Sequence, residues 1–88
     1  MSGPVKKFTA GAVSCSLWEN QIVVGGVPRT VLKAMVERRY KDASGQWKSS
    51  NSYGRNEIPL AIHVLQQAFS YMLSQGEQEM KIEEETIG

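Results

Sequence analysis

Two alternating runs of residues meet at Asp42-Ala43-Ser44-Gly45, and no other feature of the chain narrows its fold as far. Asp suits the first position of a type I turn, because its carboxylate accepts hydrogen bonds from backbone amides just ahead. Gly takes the positive φ of the bulge that follows. Residues 36–55 therefore read as one β-hairpin, and the turn sets its register: Asp42 faces Gln46, Lys41 faces Trp47, Arg39 faces Ser49 and Met35 faces Tyr53. Side chains alternate across a strand. Lys33, Met35, Glu37, Arg39 and Lys41 then share a face with Trp47, Ser49, Asn51 and Tyr53, and Leu32, Ala34, Val36, Arg38 and Tyr40 share the other with Lys48, Ser50 and Ser52. The second face is apolar for half its length and needs a cover. The first mixes cations, aromatic rings and small polar groups, and suits a wet partner.

The cover comes after the hairpin, where the apolar period changes from two to between three and four. Asn56 is the expected N-cap, Glu57 complements the positive end of the helix dipole, and Pro59 is tolerable in a first turn whose amides lack intrahelical partners. Ile58, Ala61, Ile62, Leu65, Ala68, Phe69 and Met72 recur at helical steps until Gly76 stops them, which predicts a helix of about 19 residues. This stripe is expected to cover Leu32, Ala34 and Val36. Leu60, Val64, Tyr71 and Leu73 lie partly off it, and they predict a homodimer that buries them against a second copy.

Ahead of the hairpin, Phe8 to Trp18 alternates as one half-buried strand, with Val13, Cys15 and Leu17 on one side and Ala12, Ser14, Ser16 and Trp18 on the other. Glu19-Asn20 is expected to bend it before Gln21 to Val24 resumes. Gly25-Gly26 then turns tightly into a long strand from Val27 to Lys41. Residues 1–7 read as a flexible basic arm, 8–76 as a single domain and 77–88 as an acidic disordered tail.

A chain of 88 residues supports one domain, which at this size buries only roughly 60 to 65% of its unfolded surface. Nothing approaches the ~20 apolar residues of a membrane span, and Met1 to Lys7 lacks the apolar core of a signal peptide, so an intracellular protein of the cytoplasm, nucleoid or nucleus is expected. Cys15 is the only cysteine and His63 the only histidine, which leaves no internal disulfide and no protein-built zinc site to expect. Cys15 reads as a small buried hydrophobe. His63 has no identifiable acid partner and Ser14 and Ser16 no visible base, so neither a catalyst nor a cofactor is expected.

Charge is split along the chain. Residues 1–76 carry nine Lys or Arg against Glu19, Glu37, Asp42 and Glu57, a net of +5, whereas residues 77–88 carry Lys81 against five Glu, a net of −4. A basic body with an acidic tail suits a protein that meets polyanions. One consequence is that the tail competes with nucleic acid for the sheet, so that deleting 77–88 tightens binding at low salt. Single strands are bound by cations that track the backbone and rings on which bases stack. Lys33, Arg39 and Lys41 around Trp47 and Tyr53 supply both. Trp18 either extends this platform or closes the edge of the core.

The run Val-Glu-Arg-Arg-Tyr-Lys-Asp-Ala-Ser-Gly-Gln-Trp-Lys, followed by a short polar strand and a long amphipathic helix, resembles the transcriptional coactivator PC4 family of single-stranded DNA-binding proteins. The resemblance covers roughly residues 31–73. It implies a curved antiparallel sheet backed by a helix, dimerisation through the helices, binding of unpaired strands on the sheet, and a role in transcription or DNA maintenance. By position it puts the stacking aromatic on Tyr40 and the post-turn lysine on Lys48, on the face opposite Trp47. Either a bulge rotates the strand or the stacking role has moved to Trp47. Glu37 stands where that family places a basic residue.

The expectation is thus an α+β homodimer, a curved antiparallel sheet of three to four strands followed by one long C-terminal helix. It binds single-stranded DNA or RNA with little sequence preference and catalyses nothing. Lys33, Arg39, Tyr40, Lys41, Trp47, Lys48, Tyr53 and Arg55 are the candidate contacts. The alternative is a protein-interaction or scaffold module that binds no nucleic acid.

Overall fold

The computed structural model describes residues 3–75. Four strands form an antiparallel meander, each paired with its neighbour in sequence, and one helix follows: β1 (Lys6–Ala10), β2 (Val13–Val24), β3 (Val27–Lys41), β4 (Trp47–Ser50) and α1 (Ile58–Gln75). The α+β order is the expected one, with four strands. Extents of 51 × 30 × 17 Å suit a single sheet backed by a single helix.

Three boundaries differ from expectation. The run from Phe8 to Trp18 is two strands, because Gly11 adopts φ +60° and Ala10 pairs directly with Val13 across a two-residue turn. Glu19-Asn20 does not bend β2. Both residues stay in the ladder, opposite Leu32 and Val31, and pairing continues to Val24 opposite Val27. A polar pair is no obstacle there, since this part of the ladder is wet and its backbone groups are satisfied across the strands. Lys6 and Lys7 are not a loose arm but the start of β1, opposite Leu17 and Ser16, and the Val5 amide donates to the Leu17 carbonyl at 2.8 Å. Gly76 and the acidic stretch 77–88 lie outside the described residues.

The core forms where α1 lies on β1 and β2. Val13, Cys15 and Leu17 from β2 are fully buried against Val64 and Ala68 of the helix, with Phe8, Ala10, Val36, Tyr53, Leu60, Ala61, Tyr71 and Met72 packed around them. Full burial of each Val or Leu contributes roughly 1.5–3 kcal/mol. Burial also pushes the Cys15 thiol above its ordinary pKa. The helix covers the expected sheet face but sits nearer the β1 edge. It reaches β3 at Val36, leaving Ala34 exposed and Leu32 half-buried.

The helix is also turned relative to expectation. Ile58, Ile62, Leu65 and Phe69, read as core, are exposed, with Phe69 at 56%. Val64, read as a dimer contact, is sealed beneath the protein's own sheet, and Leu60 and Tyr71 pack beside it. Leu60 packs on the β1–β2 turn, its Cδ1 lying 3.2 Å from where a Cβ on Gly11 would be, and the short side chains of Val64 and Ala68 fill the space between the helix and β2.

Helix α1 starts one residue later than the Asn56 cap predicts, with Glu57 in the capping position. The Glu57 carbonyl accepts the first helical bond, from the Ala61 amide at 2.9 Å, while the Glu57 carboxylate accepts from the Gly54 amide at 2.8 Å. Glu57 therefore fastens the chain leaving the sheet to the helix.

Candidate nucleic-acid interface

The hairpin turn is built as its residues dictate. Asp42 Oδ1 accepts from the amides of Ser44 and Gln46, each at 2.9 Å, and from the Ser44 hydroxyl at 2.7 Å. Gly45 takes φ +86° and donates to the Asp42 carbonyl at 3.0 Å, and the Asp42 amide donates to Gln46 at 2.9 Å. The Ser44 hydroxyl above all, with the Gln46 amide next, holds the Asp42 carboxyl below its ordinary pKa.

The register follows the turn. Lys41 pairs with Trp47, Tyr40 with Lys48, Arg39 with Ser49 and Arg38 with Ser50. Alternation through all four strands then sorts the sheet into two faces. The helix side carries Phe8, Val13, Cys15, Leu17, Ala34, Val36, Arg38, Tyr40 and Lys48. The open side carries Lys7, Thr9, Ser14, Ser16, Trp18, Lys33, Met35, Glu37, Arg39, Lys41, Trp47 and Ser49.

At one end of the open side stands a cation–ring cluster. Trp47 is 59% exposed, with the Arg39 guanidinium carbon 5.6 Å and the Lys41 ammonium 5.4 Å from its ring centroid. Each cation attracts the electron-rich ring face and stays available to an anion, and the ring keeps accessible surface for stacking. Some eight residues back along β3, roughly 27 Å at 3.4 Å per residue, Lys33 lies opposite Trp18. Trp18 is half-buried, and its indole N–H has no hydrogen-bond partner among the described residues.

The eight candidate contacts do not form one site. Lys33, Arg39, Lys41 and Trp47 share the open face. Tyr40 and Lys48 lie on the helix side, beyond the reach of α1, and no bulge rotates them across. There the Arg38 guanidinium sits 5.2 Å from the Tyr40 ring, and Lys48 is drawn to Asp42 at 3.5 Å. Tyr53 departs from its expected register. Strand β4 ends at Ser50, the Arg38 side chain donates to the Ser52 carbonyl at 3.0 Å, and the chain turns so that Tyr53 packs on the core instead of pairing with Met35. Its hydroxyl is buried without a hydrogen-bond partner among the described residues, and burial raises its pKa, with the Glu37 charge adding and Arg38 opposing. Arg55 is exposed in the turn leading into α1, off both faces.

Lys7 and Met35 were not among the candidates, although both occupy the open face. As part of an arm Lys7 has no assigned face; with β1 beginning at Lys6, alternation places it on the open side opposite Ser16. Among the described residues no three His, Cys, Asp or Glu gather to hold a metal ion, and no helix is long and apolar enough to cross a membrane. A shallow groove lined by Phe8, His63, Gln66, Gln67, Ser70 and Tyr71 lies along the helix, away from the open face.

Compared with known protein families, curated proteins and solved structures, the chain matches none.

Proposed function

We propose that the protein binds single-stranded DNA or RNA on the open face of its sheet, without catalysis and with little sequence preference. The observation that carries this reading is the exposed Trp47 ring with Arg39 and Lys41 drawn over it. Cations for phosphates and a ring for bases are what unpaired strands require, and stacking tolerates any base. The likeness of residues 36–48 to PC4 proteins supports the same reading. Tyr40, Lys48 and Arg38 then meet strand ends that pass round the β4 edge.

The protomer is proposed to work as a homodimer, through the exposed stripe of Ile58, Ile62, Leu65 and Phe69 rather than through Val64. A row of four large apolar side chains along one helix suits a second copy of the same row. Sedimentation of wild type and Phe69→Glu tests this: a dimer that becomes a monomer supports it, and a wild-type monomer at tens of micromolar overturns it.

For the site, indole fluorescence is titrated with oligo-dT at several salt concentrations, beside duplex of equal length. Quenching by the single strand, weakened steeply by salt, is the expected result. Fluorescence untouched at low salt overturns the reading. A second reading, the docking of a protein, draws on the apolar tip of the β2–β3 hairpin, where Val23 is 71% exposed beside Val24 and Val27. It predicts no oligonucleotide binding at low salt.

A further inference from the structure

Arg39 and Lys41, which stand over the Trp47 ring, are not the only cations on the open face. Further back along the sheet Trp18 of β2 lies directly opposite Lys33 of β3, and on its other flank Lys7 of β1, paired with Ser16, is a diagonal neighbour. Long side chains reach across such diagonals. Both lysines are exposed, and neither makes an ion pair or hydrogen bond among the described residues. Trp18 keeps part of its ring in water. A ring between two unengaged cations is the same combination as the Trp47 cluster, built from three other strand positions.

The ground between the two groups does not suit a phosphate. There β3 presents Met35 and then Glu37, whose carboxylate repels an anion, and β2 presents Ser14 and Ser16, only 4% and 8% exposed. Lys33 and Arg39 are six residues apart on β3, roughly 20 Å along the strand. That is twice the ~10 Å over which 0.1 M salt screens a charge. Each group therefore attracts an anion independently of the other.

We infer that Lys7, Trp18 and Lys33 form a second contact point for the strand bound at Trp47, so that the open face grips one single strand at two places and selects it by length. The inference rests on the proposed nucleic-acid function and deepens it. The β3 partners of Trp18 and Trp47, Lys33 and Lys41, are eight residues apart, roughly 27 Å. A strand stacked at ~3.4 Å per nucleotide covers that distance with about eight nucleotides, and one drawn out to twice that spacing with about four. Shorter strands meet one point only. Once a longer strand is held at one point, its far end is confined near the other, and this effective concentration raises affinity without any new kind of contact.

The test is a series of oligo-dT from about 3 to 12 nucleotides, titrated at one low salt concentration into wild type and into the double variant Lys7→Ala/Lys33→Ala, whose unfolding midpoint is checked against wild type. Wild type is expected to gain affinity roughly tenfold over the step from about four to eight nucleotides. The double variant is expected to bind the shorter strands as wild type does and to lose the step. On the longest strand its slope of log affinity against log salt should fall in magnitude by about 1.4, two phosphate contacts. In Trp47→Phe, which leaves Trp18 as the one indole of the chain, the longest strand should quench the emission that remains. No step in wild type, a step that survives the double variant, equal loss at every length, or Trp18 emission untouched at saturation overturns the inference and leaves the function standing. No binding at any length overturns the function itself and the inference with it.

Discussion

The two sides of this sheet are made by the same strands and differ in nearly everything else. On the helix side, Val13, Cys15 and Leu17 have lost all contact with water and pack against Val64 and Ala68 of the helix. On the open side, one residue out of step, Trp18, Lys33, Met35, Arg39 and Trp47 face outward with no element laid over them. A small domain gains its stability from the first surface and has little to lose by varying the second. Substitutions on the helix side are therefore expected to change folding and leave ligand binding per folded molecule alone, and substitutions on the open side to do the reverse.

Leu17→Ala is the strongest attempt to break the helix side. It removes a fully buried side chain from the centre of the core, and cavity formation adds to the lost transfer energy, so a loss of about 2–5 kcal/mol is expected in denaturant unfolding. Oligonucleotide affinity of the folded fraction should hold. Trp47→Ala is the converse, with an unfolding midpoint near wild type and single-strand affinity down by about 1–3 kcal/mol, the worth of one stacked base. If Trp47→Ala unfolds the protein as Leu17→Ala does, the ring is a structural prop and the two sides are not separate.

Much of this division is legible in the residues alone, and where it is not, the reason is physical. The Asp42–Gly45 turn fixes register locally, so the pairing of Lys41 with Trp47 follows from a few neighbouring residues. Beyond Ser50 no ladder carries that register on, and Tyr53 turns inward to the core. Helix α1 defeats periodicity differently. Ile58, Ile62, Leu65 and Phe69 form one apolar row, and Ala61, Val64, Ala68 and Tyr71 form another beside it. The step of three or four residues is common to both. What decides between them is how the helix seats on β1 and β2, with Leu60 against Gly11 and Val64 and Ala68 against the buried residues of β2, a tertiary fact. Bulk alone favours the row that the fold leaves outside.

A subtler separation concerns charge within the open face. Lys41→Ala deletes one of the two cations over the Trp47 ring and keeps the ring and Arg39. The slope of log affinity against log salt is then expected to fall in magnitude by about 0.7, one phosphate contact on a single strand, with the unfolding midpoint unchanged. An unaltered slope would mean that Lys41 positions the ring and meets no phosphate.

The smallest effect is expected at the turn that joins the two sides' outer ends. The Asp42 carboxyl is held below its ordinary pKa by the Ser44 hydroxyl first and the Gln46 amide next, so folding favours its charged form. Its contribution is therefore fully present above the ordinary carboxylate value of about 4 and is lost as pH falls through the lower value it has in the fold. Thermal midpoints of wild type and Asp42→Ala should differ by a constant amount from about pH 5 upward and converge on acidification below about pH 4. Because the turn lies beyond the reach of α1, the same substitution should loosen the hairpin end more than the core. Trp47 then loses its fixed place beneath Arg39 and Lys41, and single-strand affinity falls further than the modest change in midpoint explains. A midpoint difference that ignores pH would assign the turn's hold to its backbone bonds and to Gly45, not to the Asp42 charge.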